Sequence, residues 1–151
     1  MVIAEPGRFF CEEAATLVTN VFGRRKRGER FDYWIGDGLY GSMNCLLYDH
    51  ASLTCRPLIL NKEKSLGVAD GSSSDEEEAK YAPIVRTEHA STIFGPTCDS
   101  FDMVLDDIVL PELTRDDWLV FPNMGAYTHV AASSFNGFSP NAPKTFYVYC
   151  K

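Results

Sequence analysis

A thiol and a carboxylate stand side by side at Cys98 and Asp99, inside the run Ile93-Phe94-Gly95-Pro96-Thr97-Cys98-Asp99-Ser100-Phe101-Asp102. Such a pair marks a place where chemistry could occur. Pro96 fixes its own φ and biases Gly95 towards extended or turn geometry. Phe101, Val104, Leu105 and Ile108 then recur at helical spacing, which predicts a helix starting at or beside the thiol. The positive end of a helix dipole would favour the thiolate, and Asp99 would oppose it. Taken alone, a single cysteine reads as a small buried hydrophobe.

Three further segments carry chemistry-bearing residues. Ala4-Glu5-Pro6-Gly7-Arg8-Phe9-Phe10 joins an acid, a glycine and an arginine around a proline. By itself it is a surface turn with a stray ion pair. Tyr33-Trp34-Ile35-Gly36-Asp37-Gly38-Leu39-Tyr40-Gly41-Ser42-Met43-Asn44-Cys45 runs into Leu47-Tyr48-Asp49-His50, and Asn123-Met124-Gly125-Ala126-Tyr127-Thr128 leads to Phe135-Asn136-Gly137-Phe138. Singly, Tyr127 reads as a core tyrosine with its hydroxyl satisfied.

Other motifs carry less. The run from Gly36 to Gly41 fits GxGxxG by letter, but it precedes a strand-like stretch instead of opening a helix, so it reads as a turn and not as a dinucleotide site. Arg24-Arg25-Lys26-Arg27 reads as a basic run closing a helix. Cys45, His50 and Cys55 are spaced too irregularly for zinc, and no metal is expected. His89 and His129 receive no role.

The elements that must position these residues are one helix and a series of strands. Phe10, Ala14, Leu17, Val18, Val21 and Phe22 lie on one face at helical spacing, which predicts a helix over 10–22 closed by Gly23. Short runs bounded by Gly, Pro, Asn or Asp predict strands at 31–35, 43–48, 57–60, 91–94, 118–121, 127–132 and 145–149. Residues 62–88 include Gly71-Ser72-Ser73-Ser74-Asp75-Glu76-Glu77-Glu78 without apolar periodicity and read as a disordered, protease-sensitive acidic loop.

At 151 residues and 45% hydrophobic content the chain suffices for a domain with a real core. A net charge of −7 argues against nucleic acid or an anionic membrane as partner. Its five cysteines form no CxxC pair, and the sequence shows neither a signal peptide nor a bilayer-length apolar stretch. The expected compartment is reducing and cytoplasmic.

The four segments, in this order, resemble the eukaryotic-type pyridoxal-phosphate decarboxylases of ornithine and its relatives, and the plant-type ornithine decarboxylase family in particular. That resemblance implies a mainly β fold: the C-terminal β-barrel or sandwich-like domain of a fold type III decarboxylase, preceded by the last strand and helix of a truncated (β/α)8 barrel. Residues 1–28 would be the barrel remnant and residues 29–151 the β domain. A (β/α)8 barrel needs roughly 250 residues, so the chain reads as a C-terminal portion. None of Lys26, Lys62, Lys64, Lys80, Lys144 and Lys151 matches the family's cofactor lysine, and the portion is expected to be inactive alone.

The resemblance also implies roles. Glu5 would lie beside the pyridine nitrogen of pyridoxal phosphate, while Gly7, Arg8 and Tyr127 would hold its phosphate. Tyr48, Asp49 and Asp99 would bind the substrate, with the acids taking the distal ammonium of L-ornithine. Phe135 and Asn136 would form the pocket wall, and Cys98 would return a proton to the α-carbon. Cys98 and Asp99 would reach across a head-to-tail homodimer into the partner's site. Gly36 departs from the asparagine common in the family, which bears on L-lysine as an additional substrate. A bifunctional lysine/ornithine decarboxylase and a non-catalytic relative that binds regulators are the alternatives.

Overall fold

The computed structural model describes residues 1–58, 86–139 and 143–149. Strands β1 (Leu17–Arg27), β2 (Arg30–Ile35), β3 (Arg56–Leu58), β4 (Glu88–Phe94), β5 (Met103–Pro111) and β6 (Trp118–Phe121) form a six-stranded sheet in the order β3-β6-β1-β2-β4-β5. One short helix, α1 (Cys45–Tyr48), and 3₁₀ turns at Arg8–Phe10, Glu12–Ala14 and Phe135–Gly137 complete the described elements. The mainly β reading holds.

The first correction concerns the helix expected over 10–22. Leu17 to Val21 reads equally well with period two: Thr19 and Val21 turn inward and are buried, whereas Val18 and Phe22 are exposed. Tertiary pairing decides the matter, because β1 is hydrogen-bonded to β6 on one side and to β2 on the other. The basic run therefore closes no helix. It lies in a hairpin whose turn is made at Gly28, where φ is +62°.

The second correction concerns the helix expected after Cys98. Residues Met103–Pro111 are strand β5, antiparallel to β4. Ser91 faces Ile108 and Ile93 faces Leu105, so β5 carries one more residue than β4 between those pairs. Asp107 lies in the left-handed region at φ 54°, within this irregularity. A bulge breaks alternation and mimics helical spacing in sequence. Cys98 consequently stands in a loop, and the argument from a helix dipole lapses.

Three other strand expectations change. Residues 43–48 make a tight turn that runs into α1, with Met43 N–H donating to Gly38 O and Tyr48 N–H to Asn44 O. Residues 127–132 form turns, since Tyr127 at φ 56° cannot continue a strand. Among the described residues 143–149 have no strand partner. The expectation for 57–60 is met by β3 as far as Leu58, and residues 59 and 60 lie outside the described residues. So does the acidic loop expected over 62–88, apart from its last three residues.

Val21, Phe31, Tyr33, Ile35, Met43, Ile93, Leu113, Leu119 and Phe121 form the core. The Tyr33 hydroxyl accepts a hydrogen bond from Leu113 N–H at 3.0 Å, and burial raises its pKa. Asp32 is fully buried, with Arg25 and Arg27 donating to its carboxylate. Arg24 donates to Glu112 and Arg30 to Asp106 and Asp107, so these arginines are engaged within the fold. The sheet leaves its connecting loops to carry the chemistry.

Candidate functional site

The expected site residues fall into two groups. The first gathers where the N-terminal turns meet the loop after β6. Met124 N–H donates to Ala15 O and Gly125 N–H to Glu12 O; a Cβ on Gly125 would overlap the Cys11 carbonyl, so only glycine fits. These bonds place Tyr127 over the N-terminal segment. The Arg8 guanidinium lies 5.6 Å from the Tyr127 ring centroid, and a Cβ on Gly7 would come within 3.2 Å of the Tyr127 hydroxyl.

Arg8 also pairs with Glu12 at 3.0 Å and with Asp49, which caps α1. A shallow cleft lies beside them, lined by Arg8, Glu12, Cys45, Asn123, Ala126 and Thr128. His50, Asn123 and Tyr127 around this group all have positive φ, between 50° and 59°. For a bulky residue such as Tyr127 that conformation is strained. Glu5 and Tyr48 are exposed, Tyr48 by 73%.

The second group lies on the loop between β4 and β5. Asn136 Nδ2 donates to Cys98 Sγ at 3.5 Å. Asp99 accepts from the Tyr40 hydroxyl and, through Oδ1, from Phe101 N–H at 3.0 Å. Phe135 stacks on Tyr40 with ring centroids 4.1 Å apart. The hydrogen bond from Tyr40, followed by that from Phe101, holds the Asp99 carboxyl below its usual range. The same bond to Asp99, aided by desolvation, pushes the Tyr40 phenol up to about 12.

Within the chain Asp49 and Asp99 stand apart: one sits on Arg8 and the other on Tyr40. Sequence reasoning missed Tyr40, Glu12 and Asp102. Asp102 was visible in the quoted segment, but its partner Leu39 lies 63 positions away and nothing local announces it. Cys45 and Cys55 belong to neither role; burial raises both thiols, Cys55 to about 12, which keeps them protonated and inert.

Pyridoxal phosphate can be tested against these groups. Around Gly7 the structure offers a guanidinium, a phenol and a backbone kept open by a missing Cβ, a set of donors suited to phosphate oxygens. The phosphate end therefore fits. For the ring end, Glu5 stands two positions before Gly7 in sequence.

A β sheet bearing such loops defines the class: the chain belongs to the pyridoxal-dependent decarboxylases, whose C-terminal sheet domain it matches over residues 8–125. Among individual relatives, it is 51% identical over 148 residues to the chloroplastic ornithine decarboxylase of Nicotiana glauca, covering 98% of this chain and 31% of that protein. The ornithine decarboxylase of Cricetulus griseus is 39% identical over 158 residues, covering 97% and 30%. The solved lysine/ornithine decarboxylase of Vibrio vulnificus in complex with cadaverine superposes with a TM-score of 0.69 at 33% identity, covering 91% of this chain and 31% of that one. The chain thus spans about a third of the length of the curated relatives it matches. No helix among the described residues is long and apolar enough to cross a membrane.

Proposed function

We propose that this chain supplies the β-domain half of an ornithine decarboxylase active site, serving the conversion of L-ornithine to putrescine. The observation that carries this reading is the exposed Cys98 thiol beside the half-buried Asp99 on a fixed loop, in a chain half identical to a plant ornithine decarboxylase. Pyridoxal phosphate, when bound, supplies the electron sink for the charge left by departing carbon dioxide. Gly7, Arg8 and Tyr127 hold the phosphate, with Arg8 exchanging its carboxylate partners for phosphate oxygens. Glu5 keeps the pyridine nitrogen protonated. Asp99, with Asp49 and Tyr48, binds the distal ammonium, and Phe135 and Asn136 wall the pocket. Cys98 donates the proton that replaces the lost carboxylate.

Residues ahead of β1 belong, in this reading, with the cofactor-binding barrel of the longer relatives, and the sheet from β1 onwards forms the β domain. The separation of the two groups supports a site shared between subunits of a homodimer: Arg8, Asp49 and Tyr127 serve one cavity while Cys98 and Asp99 serve the partner's. No lysine of this chain matches the cofactor lysine that the resemblance implies, so in this reading the 151 residues alone release no carbon dioxide.

The test is a chimera in which residues 1–151 replace the corresponding third of the Nicotiana glauca enzyme. Release of carbon dioxide from L-ornithine with formation of putrescine is expected. A folded, dimeric chimera without turnover overturns the reading. Comparable cadaverine formation from L-lysine favours the bifunctional alternative, to which the likeness to the Vibrio vulnificus enzyme points. Unpaired cysteines among the described residues suit a reducing compartment, which cytoplasm and chloroplast both provide, and the Nicotiana relatives are chloroplastic; a fluorescent fusion of the native gene product separates the two.

A further inference from the structure

The turn from Gly36 to Gly41 is braced against the loop that carries Cys98. Its frame is held internally: Asp37 Oδ1 accepts from Gly38 N–H and Ser42 N–H, each at 2.8 Å. It is then fastened to the loop that carries Cys98 by Asp102, which is 1% exposed. Asp102 Oδ1 accepts from Leu39 N–H at 2.9 Å, and Oδ2 accepts from Thr97 N–H at 3.0 Å and the Thr97 hydroxyl at 2.7 Å. A Cβ at Gly38 or Gly95 would overlap this carboxylate, so both glycines are required by the close approach. One buried acid thus fixes where Tyr40 stands relative to Asp99.

Tyr40 is itself constrained at three points. Its ring stacks on Phe135, its carbonyl accepts from Ser133 N–H at 2.9 Å, and its hydroxyl donates to Asp99. The Asp99 backbone is fastened too, since Asp102 N–H donates to Asp99 O at 3.0 Å. We propose that Tyr40 is a positioning residue for the substrate-binding acid: its hydroxyl orients the Asp99 carboxylate towards a cationic ligand, and through the shared loop it fixes Cys98 one residue away. The opposite displacements of the two groups, Asp99 downwards and Tyr40 to about 12, agree with a phenol donating to a carboxylate. Asp102 and Tyr48 also act on the Tyr40 phenol, in the same direction as Asp99. The catalytic meaning of this device rests on the proposed decarboxylase function; its electrostatic content does not.

The experiment has two arms. In the 151-residue chain, carbon-13 NMR follows the Asp99 carboxyl and the Tyr40 phenol through pH titrations. Tyr40→Phe retains the ring and removes the hydroxyl; it should raise the Asp99 midpoint towards the ordinary 3.8. The reciprocal Asp99→Asn should return the Tyr40 phenol towards 10. Either titration unchanged in its variant overturns the inference. In the Nicotiana chimera, Tyr40→Phe should raise KM for L-ornithine about 3- to 10-fold with kcat held within about 2-fold, the signature of lost binding orientation. An unchanged KM also overturns it, whereas an inactive parent chimera defeats only the decarboxylase reading and leaves the NMR arm decisive.

Discussion

The group around Arg8 and the group around Asp99 are built on opposite principles. The first is an exposed arrangement of compensating charges: Arg8 and Asp49 are each 36% accessible, and the surrounding backbone takes left-handed conformations at His50, Asn123 and Tyr127. The second hangs on a buried carboxylate, Asp102, with every donor supplied by the loops it joins. Half-exposed ion pairs contribute little to stability and exchange partners readily. Buried, fully satisfied networks are rigid. The region assigned to the phosphate can thus rearrange around an incoming anion, whereas the region assigned to substrate and proton transfer is set before anything binds.

The comparison breaks most visibly in the chimera. Cys98→Ala should lower kcat by about 10²- to 10⁴-fold, the range of a lost proton donor. Arg8→Ala should act chiefly by weakening cofactor retention, read by titration with pyridoxal phosphate. If the two groups serve different subunits, mixing the two inactive variants under conditions of subunit exchange should restore roughly a quarter of wild-type activity, since half the dimers are mixed and each regains one of two sites. No recovery upon confirmed exchange would place both groups in the same cavity.

Stability should divide the groups just as sharply. Asp102→Ala leaves three donors without an acceptor in a buried site and should cost about 3 kcal/mol in urea unfolding. Arg8→Ala removes only surface pairs and should cost under about 1 kcal/mol. Equal losses would erase the distinction between a preset and an adaptable region.

The pH response sharpens it further. Asp99 has a lowered folded pKa, so its stabilising contribution is complete above the ordinary 3.8 and disappears as pH falls through the lowered value. Tyr40 has a raised one, so its contribution is complete below 10 and is lost as pH rises towards about 12. The clasp is therefore intact between those limits. Melting profiles of the wild type and Tyr40→Phe should run parallel across that window and converge outside it at both ends.

How much of this was legible in the sequence depends on the range of the forces involved. Strands at 31–35, 91–94 and 118–121 were readable because β-branched and aromatic residues concentrate there between turn signals, and β2, β4 and β6 lie at those places. Residues 10–22 and 101–108 misled because a strand pairing on both edges and a bulged strand each produce apolar spacings that pass for helical ones. The chemical residues could be named as candidates, since motif identity is local. Their division into two groups came only through the resemblance and has no local signal, because it depends on contacts such as Arg8 with Asp49 and Tyr40 with Asp99, which span 59 positions in the second case. Asp102 looks in sequence like any surface acid. Only the absent side chains of Gly38 and Gly95, one on each loop, make room for it.

The smallest effect tests the adaptable region alone. Tyr127 holds φ at 56°, a conformation that costs a residue other than glycine or asparagine about 1–2 kcal/mol. Its ring is half exposed, so little packing compensates. Tyr127→Phe keeps the backbone preference and removes the hydroxyl; stability should stay within about 0.5 kcal/mol while pyridoxal phosphate binds less tightly to the chimera. Tyr127→Asn removes the hydroxyl but suits the backbone, and should equal or exceed the wild type in stability by up to about 1 kcal/mol with the same loss of cofactor affinity. If asparagine instead destabilises the fold, the ring contact with Arg8 outweighs the backbone strain, and the first group is held by packing as the second is.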